Sequence, residues 1–217
     1  ASEVRALLLS AGLGSRLKPL TDNWPKCLMP VGDRPLLEYW LQTLQDSKIS
    51  EVLVNTHHHA QYVEGFLERP QFSSWVSNIF EPELLGTASS LTKNLAFFKS
   101  NTALLVHADN WCQCDFPAFI HYHQNSRPEQ CLITMMTFDT ETPKSCGIVE
   151  TDHQGVVVGF HEKVDKPPGN LANGAVYILS AELLKRLGTD LHTVTDFSTE
   201  VLNRFVGHIY SYETSEV

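Results

Sequence analysis

The stretch Ser10-Ala11-Gly12-Leu13-Gly14-Ser15-Arg16-Leu17-Lys18-Pro19-Leu20-Thr21, followed by Pro25-Lys26, lies between an apolar run at 4–9 and a helix-like segment that starts near Pro35. A strand that ends in a glycine-rich loop carrying fixed cations can hold a polyphosphate against its backbone. Gly12 and Gly14 leave room for phosphate near backbone N–H groups, and Arg16 and Lys26 supply charge from two sides. A P-loop needs Gly-Lys-Ser/Thr, but Gly14 is followed by Ser15-Arg16. A dinucleotide fingerprint needs a third glycine where Leu17 stands and an acidic residue closing the second strand, which ends instead in Asn55-Thr56-His57. Taken alone, the loop also fits an ordinary strand-to-helix turn with solvated cations.

The composition narrows the classes. A chain of 217 residues can bury one sizeable core, so a single domain over 1–217 is expected, with nothing that suggests disorder or a membrane span. A formal net charge of −9 with scattered cations argues against nucleic acid and suits a small anionic ligand bound at a local cationic site. Five cysteines with no secretory signal ahead of them point to reduced thiols and a cytoplasmic setting. Cys112-x-Cys114 lacks zinc-ribbon spacing, and His57-His58-His59 reads as a solvated loop because adjacent side chains point different ways.

Short apolar runs alternate with helical periodicity through the first half. Strands are expected at 4–9, 51–55, 79–80, 104–106 and 131–138, and helices at 36–44, 62–67, 88–98 and 116–122. Repeated βα alternation predicts an α/β, Rossmann-like, mostly parallel mixed sheet flanked by helices, with ligands beyond the carboxyl ends of the strands. The second half changes character: strands at 147–150, 156–162 and 175–179 are separated by turns at 152–155 and 167–170, which predicts a small antiparallel addition. Helices at 181–187 and 197–205 and a strand at 207–212 complete the pattern.

Three further segments carry chemistry. Asp109 follows the strand at 104–106, where one carboxylate with phosphate oxygens and water suffices for magnesium; it could equally cap a turn. Glu162-Lys163 closes a strand, where a carboxylate suits paired sugar hydroxyls and an ammonium suits a phosphate; a surface ion pair is the alternative. In Glu81-Pro82-Glu83-Leu84-Leu85-Gly86-Thr87-Ala88, Gly86 allows close backbone approach and Thr87 is positioned as a helix N-cap.

With these segments in this order, the chain resembles the sugar nucleotidyltransferases, the NDP-sugar pyrophosphorylases, from about Val4 to Glu213. The resemblance rests on Ser10 through Leu17, Pro25-Lys26-x-Leu28-x-Pro30-Val31, Leu85-Gly86-Thr87-Ala88, Asp109, Gly147-Ile148-Val149, Glu162-Lys163 and Asn173-Gly174-Ala175-Val176-Tyr177. It implies the nucleotidyltransferase fold, with the antiparallel addition binding sugar, and attack of a sugar 1-phosphate on the α-phosphorus of an NTP. It also implies roles. Ser10, Ala11, Gly12, Gly14 and Gly86 would line the nucleotide, Arg16 would contact the departing phosphates, and Lys26 would bridge the reacting phosphates. Asp109 would hold Mg²⁺. Asn110, Gly147, Glu162, Lys163 and Asn173 would form the sugar phosphate pocket. Such chemistry needs positioning and charge neutralisation more than a protein nucleophile.

The departures matter as well. Ala108, after His107, stands where family members often carry glycine before the metal aspartate, and Val164 where proline is common after Glu-Lys. The family's Trp-x-Asp-x-Gly-Thr-like segment, with its second metal aspartate, falls where this sequence stops at Ser215-Glu216-Val217, so either the domain lacks its C-terminal end or the metal site is altered. Glu81 lies where thymidine- and uridine-using members frequently carry glutamine. A carboxylate accepts the N–H donors of a guanine edge, which favours GTP with mannose or heptose 1-phosphate. UTP or dTTP with another sugar 1-phosphate, an amino sugar phosphate included, is the alternative. So is a noncatalytic sugar-nucleotide-binding regulator. A metal-dependent glycosyltransferase would need Asp-x-Asp, which Asp109-Asn110-Trp111 does not supply. No nucleic-acid or membrane partner is expected, and a homo-oligomer is compatible with this reading.

Overall fold

The computed structural model describes residues 3–10, 25–99, 101–108 and 114–214. Strand β1 (Val4–Leu9) is buried along its whole length, as its unbroken apolar run requires of a central parallel strand. It pairs in parallel with β4 (Val52–Thr56) and β6 (Thr102–His107), and β5 (Val76–Phe80) pairs in parallel outside β4. The long strand β10 (Leu171–Leu179) runs antiparallel between β6 and β7 (Ile133–Asp139), and β11 (Ile209–Glu213) lies parallel to β7 at the far edge. The main order is thus β11-β7-β10-β6-β1-β4-β5. An antiparallel hairpin, β8 (Gly147–Thr151) with β9 (Val157–Glu162), joins at the start of β10 through Ala172 and Ile148. A separate two-residue ladder, β2 (Pro30–Val31) with β3 (Arg34–Pro35), was not foreseen; its turn contains Gly32 at φ +65°.

Alternation along the strands divides the interior into two cores. Ala6 and Leu8 face α1 (Leu36–Asp46), α2 (Ala60–Leu67) and α6 (Phe116–Asn125), whereas Leu7 and Leu9 face α4 (Thr87–Thr92) and α7 (Ala181–Leu187). The apolar positions Leu36, Leu37, Trp40, Leu41 and Leu44 of α1 fall on one stripe, and all are buried. A short helix α3 (Pro70–Ser73) precedes β5.

Two expected helices differ. The one over 88–98 is divided into α4 and α5 (Leu95–Phe98), because Asn94 turns its side-chain amide back onto the Ser90 carbonyl at the junction. The one over 197–205 opens as a π turn at Phe197–Val201 before the short α8 (Leu202–Arg204). No helix among the described residues is long and apolar enough to cross a membrane.

Candidate active site

At the carboxyl ends of β1, β4 and β5 the chain assembles a connected polar group. The Ser10 N–H donates to Asn55 Oδ1 at 2.6 Å, and the Ser10 hydroxyl donates to the Asn55 carbonyl. Asn55 Nδ2 donates to Glu81 Oε2 at 3.3 Å, and the Ser90 hydroxyl donates to the same oxygen at 2.8 Å. Glu81 is only 4% exposed, and its other oxygen, Oε1, is buried without a hydrogen-bond partner among the described residues. An unsatisfied buried carboxylate oxygen is costly, so this acceptor calls for a partner from outside the group. Beside it lies a cavity of about 360 Å³ lined by Phe80, Glu81, Pro82 and Leu85, with Lys93 and Asn94 at its lower side.

The antiparallel part forms a second wall. Gly147 stands directly opposite Glu162 in the β8–β9 ladder, and a Cβ on Gly147 would come within 2.9 Å of Glu162 Oε2 and 3.1 Å of the Phe160 ring. Glycine here leaves the carboxylate its space. Next to it β10 bulges: between Asn173 and Tyr177 it takes four steps where β7 takes two, from Thr137 to Met135. Asn173 stabilises the bulge from both sides, accepting the Ala175 N–H on Oδ1 at 2.9 Å and donating from Nδ2 to the Tyr177 hydroxyl at 2.7 Å. Ala175 is held at φ +59°, a conformation that costs a non-glycine residue about 1 kcal/mol or more. Tyr177 is fully buried and hydrogen-bonds Ser198; burial first, and then the nearby charges of Glu162 and Asp196, hold its hydroxyl in the neutral form by pushing its pKa up. Lys163 follows Glu162 at φ +49°, so the backbone turns away from the strand there.

A strap at 193–200 joins the two walls. The Thr195 carbonyl accepts the N–H groups of Ala88 at 2.8 Å and Ser89 at 3.2 Å, and so supplies partners for the first turn of α4. Gly86, rather than Thr87, is the N-cap of that helix. Thr87 as N-cap is overturned: its hydroxyl accepts the Phe197 N–H at 2.8 Å instead, because the strap already caps the helix. Gly86 is required by contact, since a Cβ there would lie 2.1 Å from the Thr195 carbonyl oxygen. The histidines after β4 are likewise not a freely solvated loop. All three are half-buried, and His57 Nδ1 hydrogen-bonds the Glu81 carbonyl at 2.7 Å.

Lys26 opens a 3₁₀ turn, Lys26–Leu28, whose Cys27 and Leu28 are anchored in the α1-side core, and its own side chain is half-buried. Ala11, Gly12, Gly14, Arg16, Asp109 and Asn110 lie outside the described residues, and so does Cys112. Their flanks converge nonetheless: the Ala108 N–H donates to the Leu9 carbonyl at 3.0 Å, so β1 and β6 leave the sheet side by side. Among the described residues no group of three or more His, Cys, Asp or Glu side chains could hold a metal ion. Cys131 and Cys146 are free thiols.

A family model described as nucleotidyl transferase matches residues 5–215. The chain belongs to the nucleotidyl transferase family. A mannose-1-phosphate guanylyltransferase catalytic subunit beta from Drosophila pseudoobscura pseudoobscura is 30% identical over 187 residues, covering 84% of this chain and 50% of the relative. A D-glycero-alpha-D-manno-heptose 1-phosphate guanylyltransferase from Campylobacter jejuni is 28% identical over 180 residues, covering 83% and 77%. This nucleotidyl transferase chain spans about half the length of most of the curated relatives it matches. Among solved structures, HddC from Yersinia pseudotuberculosis shares the fold with a TM-score of 0.80 and 21% identity, over 98% of this chain and 91% of that one.

Sequence reasoning missed three residues of this nucleotidyl transferase site: Asn55, Ser90 and Thr195. Asn55 stood in the strand ending that served only to exclude a dinucleotide. It opens the polar ending Asn55-Thr56-His57 that closes the apolar run Val52-Leu53-Val54, which was the available signal.

Proposed function

We propose that this chain transfers a nucleotidyl group from an NTP, with GTP favoured, to a sugar 1-phosphate. An oxygen of the sugar phosphate forms a bond to the α-phosphorus as the bond from that phosphorus to the bridging β-phosphate oxygen breaks, and pyrophosphate leaves with the electron pair. The observation that carries the reading is the pair of walls at the carboxyl-terminal end of the parallel strands: Ser10, Asn55 and Glu81 on one side, Gly147, Glu162 and Asn173 on the other. Membership of the nucleotidyl transferase family supports the reaction class, and the names of the Drosophila and Campylobacter relatives support mannose or heptose 1-phosphate.

The base choice rests on Glu81. Guanine presents an acceptor, a donor and a second donor along its Watson–Crick edge, whereas a uracil or thymine imide places acceptors on both sides of its single donor. A buried carboxylate attracts the first pattern and repels the second. The Yersinia protein has been solved in complex with GMP-PN, which supports the same choice here.

Arg16 and Lys26 would neutralise the phosphates, Glu162 would accept hydrogen bonds from sugar hydroxyls, and Lys163 would hold the sugar phosphate. Asp109 would hold Mg²⁺, which supplies further charge neutralisation at the phosphates; one carboxylate is enough when phosphate oxygens and water complete the shell. The protein works in this reading as a soluble cytoplasmic enzyme.

The test is pyrophosphate release with Mg²⁺, each NTP in turn and a panel of sugar 1-phosphates. GTP with mannose or heptose 1-phosphate should give the highest rate, and no release from any pair would sink the reading. Lys26→Ala and Asp109→Ala should each lower turnover by about a hundredfold or more with the fold intact. Glu81→Gln should shift the GTP to UTP preference toward UTP.

A further inference from the structure

Glu81 is mounted by one short piece of chain. Three consecutive residues at the end of β4 hold it: Asn55 bonds its side chain, the Thr56 carbonyl accepts its N–H at 2.7 Å, and His57 bonds its carbonyl at 2.7 Å. Ser90, from the first turns of α4, supplies the shorter of the two donors to Oε2. The Asn55 amide can sit only one way round, because its Oδ1 faces the Ser10 N–H and its Nδ2 faces a carboxylate and a hydroxyl. Reversal would oppose two donors and set an oxygen against a carboxylate.

This arrangement makes the two oxygens of Glu81 unequal. Oε2 takes donors from both Ser90 and Asn55, which fixes the plane of the carboxylate. Oε1 is left as the buried acceptor with no partner among the described residues. We propose that Asn55 and Ser90 are positioning residues that set nucleobase choice: by saturating Glu81 Oε2 they aim Oε1 at the base. The inference rests on the reading of Glu81 given above. Asn55 also ties the base reader to the phosphate loop, since the same amide holds Ser10 at the loop's first residue. Without the Ser90 donor the carboxylate gains torsional freedom, and a turned carboxylate tolerates the imide pattern that the fixed one rejects.

Ser90→Ala is the sharper test, because alanine suits a helix interior and the phosphate loop keeps its contact with Asn55. The dissociation constants of GTP and UTP are measured by calorimetry for wild type, Ser90→Ala and Ser90→Thr, together with the melting temperature of each. Ser90→Ala should reduce the GTP over UTP affinity ratio about fivefold, the scale of one typical hydrogen bond lost. Ser90→Thr, which keeps the hydroxyl, should restore the ratio. A ratio in Ser90→Ala within twofold of the wild-type value overturns the assignment, whichever nucleotide wild type prefers, as does an equal loss for both nucleotides. Because the readout is binding, a protein that binds nucleotides yet releases no pyrophosphate defeats the transfer reading alone.

Discussion

Gly86 and Gly147 both sit where a methyl group would collide, but with different partners. At Gly86 the obstacle is backbone, the Thr195 carbonyl at 2.1 Å, which cannot move without pulling the strap off α4. Gly86→Ala should therefore cost about 3 kcal/mol in chemical denaturation. At Gly147 the nearest atom, at 2.9 Å, is the end of the exposed Glu162 side chain. Gly147→Ala should leave the denaturation midpoint almost unmoved and raise KM for the sugar phosphate, as Glu162 swings aside. At this scale the sequence was legible where a residue type is chemically unusual, as with Glu81, Glu162 and Asn173. It was opaque for Thr195, whose part is played by a main-chain carbonyl that any residue carries.

Among the elements, α6 is fastened to β7 by a buried histidine. His123 lies 2.6 Å from the Thr134 hydroxyl through Nδ1, and burial first, with the Arg127 charge second, pushes its pKa down to about 3. The unfolded chain binds that proton near pH 6.5, so the contribution is complete above about 6.5 and is lost as pH falls from there toward 3. The depressed carboxyls begin to lose their contributions only below their ordinary values of 4.5 and 3.8; Glu200 is held down by the Asp196 and Thr195 N–H groups and the Thr195 hydroxyl, and Asp152 by the Val156 and Gln154 N–H groups. Between pH 6.5 and 5, urea midpoints should therefore fall in wild type and fall less steeply in His123→Gln. Periodicity located α6 and β7 but could not show this link, because a polar side chain within an apolar face reads the same whether it is satisfied or not. The bulge in β10 was hidden for a related reason: Asn173 stabilises it by bonds to residues two and four along its own strand, and the expected strand at 175–179 begins after Asn173 itself.

Among the described residues the main sheet lies between two large cores, and these two should respond independently. Leu37 is fully buried on the α1 side and Leu183 on the α7 side. Each substitution to alanine should cost about 2–5 kcal/mol, and the double variant should equal their sum to within about 0.5 kcal/mol, measured by urea denaturation. The alternation of apolar runs and helical stripes made this layering readable, because burial on both faces leaves its period in the sequence. The order of strands was less accessible, since no local signal says that the strand begun at Leu171 returns to the middle of the sheet.

That central position of β10 has a consequence for how the polypeptide comes to be folded. β6 and β7 are both synthesised well before β10, and neither can pair across the gap until residues 171–179 emerge to fill it. Before β10 is in place, β6 and β7 each lack the neighbour that they have on that side in the folded sheet. Closing the gap is a long-range event, of the kind that slows acquisition of the native state. The nascent chain is most exposed to strand-to-strand association with other molecules during that interval.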